Sequence, residues 1–337
     1  MTLSLRRGLV VSVDPLTVRV REEDRSAWAD EAMVGEVQLG DVVVVNTIAV
    51  DLELGSGGFD IVHVNLTRGL DAGEEPADHV IKLNYTSLQH PVAPVEEPEG
   101  EGDWQPERRP PVLVCFLHGQ LAPAAWAAAE AKPGLRLGYV QTPGGALPGA
   151  LSRDVAELRK RGLLCDHVTA GPCHGGEREA VSIPGALHAA AEGLGWDAAI
   201  AAPGPGILGS ATRYGHGGMA ALDSAHSALA LGLPTAIAPR LSAGDPRPRH
   251  RGVSHHTEAV LSLLLAPVRV AAPRGSAAVD ELVKVCGDRH QVDSQDVDLD
   301  AYAASGLPTQ TMGREIGEDP DFFAGALAGG ALLAAMS

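Results

Sequence analysis

Short apolar runs alternate with Ala- and Leu-rich segments of helical spacing from residue 112 onward. Runs such as PVLVCFLHG and WDAAIAAPGPG are followed by segments such as PAAWAAAEA and GMAALDSAHSALALG. Strands that alternate with helices build βαβ units around a parallel sheet, and strands buried on both faces are continuously apolar. The pattern therefore predicts a doubly wound, mostly parallel, Rossmann-like α/β fold over residues 112–337.

Residues 1–90 have a different pattern, in which Val-, Ile- and Thr-rich runs are separated by Gly and Asp. LVVSVD, TVRVRE, GDVVVVNTIAVDL and FDIVHVNLT are such runs, and their spacing predicts a small all-β, barrel-like domain. Residues 91–111 are rich in Pro, Glu and Gly and have almost nothing to bury, so we expect an extended linker. A chain of 337 residues is long enough for two domains.

Charge and cysteine usage narrow the class of protein. The net charge of -17 argues against a nucleic-acid partner, because binding to a phosphate backbone needs a basic face. The four cysteines lack CxxC pairs and secreted-framework spacing, which indicates reduced thiols and a cytoplasmic location. The uncharged stretch FFAGALAGGALLAAM is too short for a membrane span and predicts a buried helix. We expect no membrane partner, and a dimer is the default for any homo-oligomer.

The loops that follow the predicted strands are rich in glycine and polar residues. In a doubly wound sheet, ligands bind outside the carboxyl ends of the strands, so we place the site at that edge. The sequence does not give the strand order, and which of these loops are neighbours stays open. The loops are residues 118–120, 141–145, 169–177, 203–218 and 240–256.

The loop GPGILG at residues 204–209 formally matches GxGxxG after a strand. NAD or FAD is nevertheless disfavoured, because a proline stiffens the turn and the next predicted strand ends in arginine rather than in an acidic ribose partner. A loop whose backbone N–H groups and polar side chains bind an anion fits better. The predicted ligand-binding residues of this loop are Gly204, Gly206, Gly209, Ser210, Thr212 and Arg213.

The stretch RHRGVSHHTE, residues 249–258, concentrates histidine and arginine. Ser254 is predicted to cap a helix, which puts His255 and His256 in its first turn. Adjacent helical residues point about 100° apart, so these two histidines should not chelate one ion as an i, i+4 pair does. Arg247 and Arg249 suit a carboxylate or a phosphate. We therefore predict an anion-binding and proton-transferring loop, with Ser254, Arg247 and Arg249 as ligand-binding residues.

Catalytic candidates come from three of the loops. His255, His256 and His216 would orient an anion or transfer protons, and Glu177 would act as an acid, a base or a ligand. Cys173 is a candidate nucleophile, although a cysteine at a strand end is more often simply buried. No residue is assigned as a metal ligand, and a divalent metal stays open because Asp245, Glu177 and His216 could come together.

These observations predict an enzyme that acts on a small anionic metabolite, a phosphate or a carboxylate, by hydrolase or transferase chemistry. The alternative is a non-catalytic ligand-sensing or scaffolding protein in which the β domain is the docking module. An enzyme requires a titratable group with a perturbed pKa within reach of the ligand, whereas a sensor requires only the binding groups.

Motifs in a fixed order extend over most of the α/β region: TPGGALP, TAGPCHGGEREAV, GPGILGSATRYGHGG, DPRPRHRGVSHHTEAVL and TMGREIGEDPDFFAGALAGG. With these motifs, the chain resembles an uncharacterised bacterial family, found mainly in actinobacteria and firmicutes, that is defined as a domain of unknown function. The resemblance implies a cytoplasmic bacterial protein. It implies no activity, substrate or catalytic residue.

Overall fold

Valine side chains at alternate strand positions form the core of a closed barrel in the computed structural model. Val18 and Val20 in one strand and Val43 and Val45 in another are buried there with Val62. The barrel has the strand order β1-β2-β3-β5-β4. Its strands are β1 (Leu5–Val13), β2 (Leu16–Val20), β3 (Glu23–Trp28), β4 (Val42–Asn46) and β5 (Asp60–Asn65). The predicted barrel-like domain is thus confirmed.

Two short helices and a hairpin complete this unit: α1 (Glu31–Val34), α2 (Ile48–Asp51), β6 (Val80–Lys82) and β7 (His90–Val92). The end of GDVVVVNTIAVDL, expected as strand, is helix α2, in which the Thr47 hydroxyl donates to the Asp51 carboxylate at 2.6 Å. This side-chain bond favours a helical turn over the extended pairing that the apolar pattern indicates.

The structure describes residues 2–53, 58–70, 78–96, 108–210 and 212–337. Contacts divide the chain into two units, Met1–Val92 and Ala93–Ser337. Most of the predicted linker, residues 97–107, lies outside the described residues. Its beginning is anchored, because the Val95 N–H donates to Glu179 and the Glu96 carboxylate accepts from the backbone N–H of Val181 and Ser182.

The second unit is built on an eight-stranded sheet of order β11-β10-β9-β12-β8-β13-β16-β17. All its paired strands run parallel, which confirms the predicted Rossmann-like fold. The sheet strands are β8 (Val112–Val114), β9 (Leu137–Thr142), β10 (Asp166–Ala170), β11 (Arg178–Ala180), β12 (Ala198–Pro203), β13 (Thr235–Ile237), β16 (Arg269–Pro273) and β17 (Gln291–Gln295). Two small pairs lie outside it: β14 (Leu241–Ser242) with β15 (Gly252–Val253), and β18 (Gln310–Thr311) with β19 (Arg314–Glu315).

Helices connect these strands and pack in two groups. They are α3 (Leu121–Ala131), α4 (Arg153–Lys160), α5 (Ile183–Glu192), α6 (Ala220–Ala230), α7 (His255–Leu263), α8 (Val279–Cys286), α9 (Leu299–Ala304) and α10 (Pro320–Met336). Helices α3, α4, α9 and α10 contact one another, as do α5, α6, α7 and α8 in sequence. Helix α10, the uncharged C-terminal stretch, is buried along almost its whole length. Among the described residues, no helix is long and apolar enough to cross a membrane.

Candidate functional site

The strand order decides which loops can form one site. Strand β8 lies between β12 and β13, so the loop after β12 and the segment after β13 flank the carboxyl end of the central strand. Neighbouring strands are about 4.8 Å apart. The loop after β10, four positions from β13, therefore emerges about 19 Å away from it. Residues after β12 and β13 can meet above β8, whereas those after β10 emerge on the other side of β12.

Four imidazole rings lie together where the loop after β12 meets the segment after β13. The His216 and His256 rings are stacked, with centroids 3.6 Å apart and planes within 10° of parallel. His255 lies 5.2 Å from His216 and 4.5 Å from His256. His250 lies 4.8 Å from His255 and 5.0 Å from His256. Together with Arg240, these four histidines form the histidine–arginine cluster.

Arg240 follows strand β13 and contacts the histidines of this cluster. Only 2% of it is exposed, and its Nη1 donates to Nδ1 of His256 at 3.0 Å. Its backbone is held by the beginning of helix α7, since the Arg240 N–H donates to the Thr257 hydroxyl at 2.9 Å and the Ser254 N–H donates to the Arg240 carbonyl at 3.0 Å. Among the described residues, the Nε of Arg240 is buried without a hydrogen-bond partner. Such an unpaired buried donor costs about 1–3 kcal/mol unless a ligand or water pairs with it.

Helix α7 begins as the sequence predicts. The Ser254 hydroxyl accepts from the His256 N–H at 3.3 Å and lies 2.8 Å from Nδ1 of His250. One hydroxyl thus starts the helix and fixes a third histidine beside the first turn. The cluster is therefore a consequence of this local cap and of the 3-10 turn Pro248–His250 that precedes it.

A buried ion network supports Arg240 from behind. Asp245 is fully buried and binds Arg247 through two bonds of 2.9 and 2.7 Å. Its Oδ2 also lies 3.4 Å from Arg240 and 3.5 Å from Arg314. Buried Asp319 binds Arg314 at 2.9 Å. Three guanidinium groups thus face two carboxylates, which leaves an excess of positive charge beside the cluster.

Burial and this positive charge keep the histidines neutral. Burial, with the charges of Arg240 and Arg247, lowers the pKa of His250 to about 3. Burial also lowers the pKa of His255 to about 4, and burial and Arg240 hold the pKa of His256 far below its ordinary value. Burial lowers the pKa of His216 as well. Arg240 stays cationic at neutral pH, although burial lowers its pKa to about 10.

The ligand atoms of His216, His255 and His256 all lie within 4.8 Å of one another. This differs from the expectation that the adjacent histidines face apart, because their rings tilt by 66° to each other and converge on the same side of the first turn. Three imidazoles suit a transition metal, which needs ligand nitrogens about 3.4 Å apart.

The hydrogen bond of His256 and the nearby positive charges disfavour a metal in this position. A ligating histidine normally donates its second ring N–H to an acceptor, whereas the second nitrogen of His256 faces a cationic donor, Arg240. A metal on Nε2 of His256 would have to displace the proton that the Arg240 contact fixes there. The surrounding arginines also repel a cation.

The glycines of the GPGILG loop have structural roles. A Cβ at Gly204 would collide with the carbonyl oxygen of Ala146, so this glycine allows the loops after β9 and β12 to pack backbone against backbone. Gly206 has a positive φ of 69°, which glycine adopts without strain. Gly209 pairs with His216 in an isolated bridge. The loop thus positions His216.

The polar residues of this loop mostly bond to the loop itself. Ser210 donates to the Gly215 carbonyl at 2.9 Å and lies 2.8 Å from the Thr212 hydroxyl. The Arg213 carbonyl faces Nε2 of His216 at 3.0 Å, and the Arg213 guanidinium reaches Ser262. These residues build the turn that holds His216, and their predicted contact with a ligand stays a prediction.

The remaining predicted residues lie at different places. Arg247 is bound to Asp245, while Arg249 is exposed and forms no ion pair with another described residue. Cys173 is buried, and Glu177 binds Arg159 at 2.6 Å. Both follow β10, about 19 Å along the edge from β13. The structure brings together His216, His255, His256 and Ser254, whereas Glu177 pairs with Arg159 and Cys173 is buried in the loop after β10.

A second polar group follows β8 and β9. Nε2 of buried His118 lies 2.7 Å from the Ser152 hydroxyl, and a carboxylate oxygen of Asp154 lies 3.8 Å from the same nitrogen. In a catalytic triad the carboxylate orients the other ring nitrogen. Ser152 is also buried and caps helix α4 through the Val155 N–H. This group therefore joins two loops and lacks the geometry of a triad.

Sequence reasoning missed Arg240 and His250 as members of the cluster and Asp319 as part of the ion network behind it. Arg240 could have been found, because a charged residue directly after the buried run PTAIAP lies at the carboxyl edge of the sheet. Asp319 could not, since its partners Ser242 and Arg314 are set by tertiary structure.

Fold and cluster together define an α/β protein with a histidine–arginine cluster at the carboxyl edge of a doubly wound sheet. No curated protein and no solved structure matches the chain. A family model does match, over residues 26–330, and the chain belongs to that family, described as protein of unknown function (DUF3866). The match extends from the barrel to helix α10.

Proposed function

We propose that the protein is an enzyme that acts on a small anionic metabolite, a phosphate or a carboxylate, at the histidine–arginine cluster. One observation carries this proposal. The Nε of buried Arg240 and the Nδ1 of buried His216 both lack partners within the described residues, and His256 contacts both side chains. A buried cationic donor without a partner next to neutral imidazoles is suited to an anion and to proton transfer.

Each residue has a role that follows from its contacts. Arg240 supplies fixed positive charge, and exposed Arg249 attracts the anion from solution. His256 offers an N–H at Nε2, because its Nδ1 accepts from Arg240. His216 is neutral and can accept a proton at Nδ1, as a general base must. This set suits hydrolysis or group transfer, and Cys173 and Glu177 take no part in it.

Anion-dependent stabilisation tests the binding step. Phosphate at one hundred times its Kd should stabilise the protein by about 2.7 kcal/mol, measured by thermal denaturation, with acetate and malonate as the carboxylate arm. Arg240→Met removes the charge but keeps an apolar stem, so it should abolish the response. Arg274→Met is the matched control, since Arg274 pairs with exposed Asp296 after strand β16. No stabilisation of the wild type by any of these anions, or full stabilisation of Arg240→Met, contradicts the proposal.

Turnover distinguishes the enzyme from the ligand sensor. The bound class of anion should be tested as its ester, with release of phosphate or carboxylate as the readout. His216→Gln should lower the rate by at least about 100-fold, the typical contribution of a general base, while binding persists. Binding without turnover in the wild type would favour the sensing or scaffolding function.

A further inference from the structure

The hydrogen bonds of His216 fix which of its nitrogens carries the proton. Nε2 lies 3.0 Å from the carbonyl oxygen of Arg213, and a carbonyl can only accept, so Nε2 carries the hydrogen. The ring is neutral, because burial lowers its pKa. Its Nδ1 therefore presents a lone pair. This atom is buried and has no partner among the described residues, and only 7% of the residue is exposed.

The stacked ring of His256 presents an N–H donor, whereas the ring of His216 presents a lone pair. Its Nδ1 lies 3.0 Å from Nη1 of Arg240, and a guanidinium can only donate, so the hydrogen of this ring is on Nε2. Two parallel imidazoles 3.6 Å apart thus leave one acceptor, on His216, and one donor, on His256. With the unpaired Nε of Arg240, the site offers two donors and a single acceptor.

An acceptor in an anion site selects the protonation state of the ligand. An oxygen without hydrogen is repelled by the lone pair of His216, whereas a hydroxyl oxygen donates to it. We propose that the anion bound at the cluster is a protonated tetrahedral oxyanion, hydrogen phosphate or the monoanion of a phosphate monoester, whose own O–H donates to Nδ1 of His216. The proposal rests on the anion site described under Proposed function and deepens it by naming the ligand.

The groups around His216 keep the proton on the ligand. His255 and His256 are the nearest rings, and the charge of Arg240 opposes a second proton on His216. Sulfate has the shape of phosphate but carries no hydrogen at neutral pH, so its binding must take up a proton from solution. Phosphate brings this proton with it.

Isothermal titration of the full-length protein with phosphate and with sulfate at pH 7.5 tests the proposal. We expect phosphate to bind at least about tenfold more tightly, since an unpaired buried polar group costs about 1.4 kcal/mol or more. His216→Gln should reduce this preference to about threefold or less, because an amide can turn either its oxygen or its NH₂ group to the ligand. His63→Gln, in the other unit, should leave the preference unchanged.

A second measurement needs no variant. At pH 8.5, where free phosphate is already hydrogen phosphate, titration in two buffers of different ionisation enthalpy should detect uptake of about one proton with sulfate and none with phosphate. Methyl phosphate in the same experiment distinguishes a phosphate monoester from free phosphate as the ligand. The one that binds more tightly is the form for which the site is suited. Equal affinity of the wild type for sulfate and phosphate overturns this inference and leaves the anion site intact. Binding of neither anion also overturns this inference, and it removes the proposed function as well if acetate and malonate do not bind either.

Discussion

Replacing Asp245 with asparagine should strongly destabilise the α/β unit. Oδ1 of Asp245 accepts from the N–H and Nε of Arg247, each at 2.9 Å. Its Oδ2 faces guanidinium nitrogens of Arg247, Arg240 and Arg314 at 2.7, 3.4 and 3.5 Å. An asparagine NH₂ group at the Oδ2 position would point a donor at three donors, while the negative charge that balances them is lost.

The magnitude follows from the burial of this network. Removing one partner of a buried ion pair costs about 3–5 kcal/mol, because the remaining charge stays buried without compensation. For a unit of this size, 1 kcal/mol corresponds to about 2–4 °C in Tm. The Tm of Asp245→Asn should therefore be about 6–20 °C lower than that of the wild type. Circular dichroism during thermal and urea unfolding measures both quantities.

Asp296→Asn is the matched control. Asp296 also binds an arginine, Arg274, at 2.6 Å, but the two side chains are 85% and 62% exposed. An exposed pair contributes only about 0–1 kcal/mol, so this variant should unfold close to the wild type. A similar loss in both variants would mean that burial of the network has no energetic effect.

The effect of Asp245→Asn should depend on pH. Burial raises the pKa of the Asp245 carboxyl, but the hydrogen bonds and charge of Arg247 outweigh burial and hold this pKa well below its ordinary value. A lowered pKa in the folded state contributes stability above the unfolded pKa of about 3.9, and this contribution is lost as the pH falls toward the folded pKa. The difference between wild type and variant should therefore be smaller at pH 3.5 than at pH 7. A difference below about 1 kcal/mol at pH 7 would refute the reasoning.

The lowered pKa of His250 contributes stability above the unfolded pKa of about 6.5, and this stability is lost as the pH falls toward 3. The unfolding free energy of His250→Gln should therefore fall less steeply than that of the wild type as the pH is lowered from 6.5 to 4, measured by urea unfolding. A Cβ at Gly218 would lie 3.0 Å from Nδ1 of His256 and 3.1 Å from Nδ1 of His216. Gly218→Ala should thus weaken phosphate binding at least about fivefold, the effect of about 1 kcal/mol, whereas Gly317→Ala, in open space, should not. Ser182→Ala removes a helix cap and should cost about 1 kcal/mol of unfolding free energy. Ser152→Ala also removes the partner of a buried histidine and should cost about 2–4 kcal/mol.

The helices and strands of the α/β unit could be predicted because their causes are local. Ser152, Ser182 and Ser254 each accept a backbone N–H at the beginning of a helix, and each lies next to a periodic apolar segment. The continuous apolar runs are strands of the sheet interior, where helices cover both faces, whereas the edge strands β11 and β17 are polar and partly exposed. Periodicity and caps act within a few residues, so the sequence displays them directly.

The composition of the site could be predicted only in part, because it depends on the order of the strands. Cys173 and Glu177 have the residue types of a catalytic group, but β10 lies far from β13 in the sheet. His216 and His256 are 40 residues apart in sequence, about as far apart as Cys173 and His216, and yet they stack. Long-range pairing creates this difference, and no local pattern reports it. The tilt of the His255 and His256 rings is likewise a matter of side-chain rotation, which helical geometry alone does not fix.

The position of strand β8 has a consequence for how the molecule is made. Residue 112 pairs with residue 199 on one side and with residue 235 on the other, so the first strand of the sheet receives both neighbours only after much of the unit has been synthesised. Contacts between residues so distant along the chain form slowly. During translation, β8 therefore has no strand partner until β12 has left the ribosome and lacks its second partner until β13 has. The segments that carry His216 and Arg240 come together only at that late stage. Synonymous codon changes or a pause between residues 115 and 235 should affect the yield of folded protein more than the same changes after residue 260.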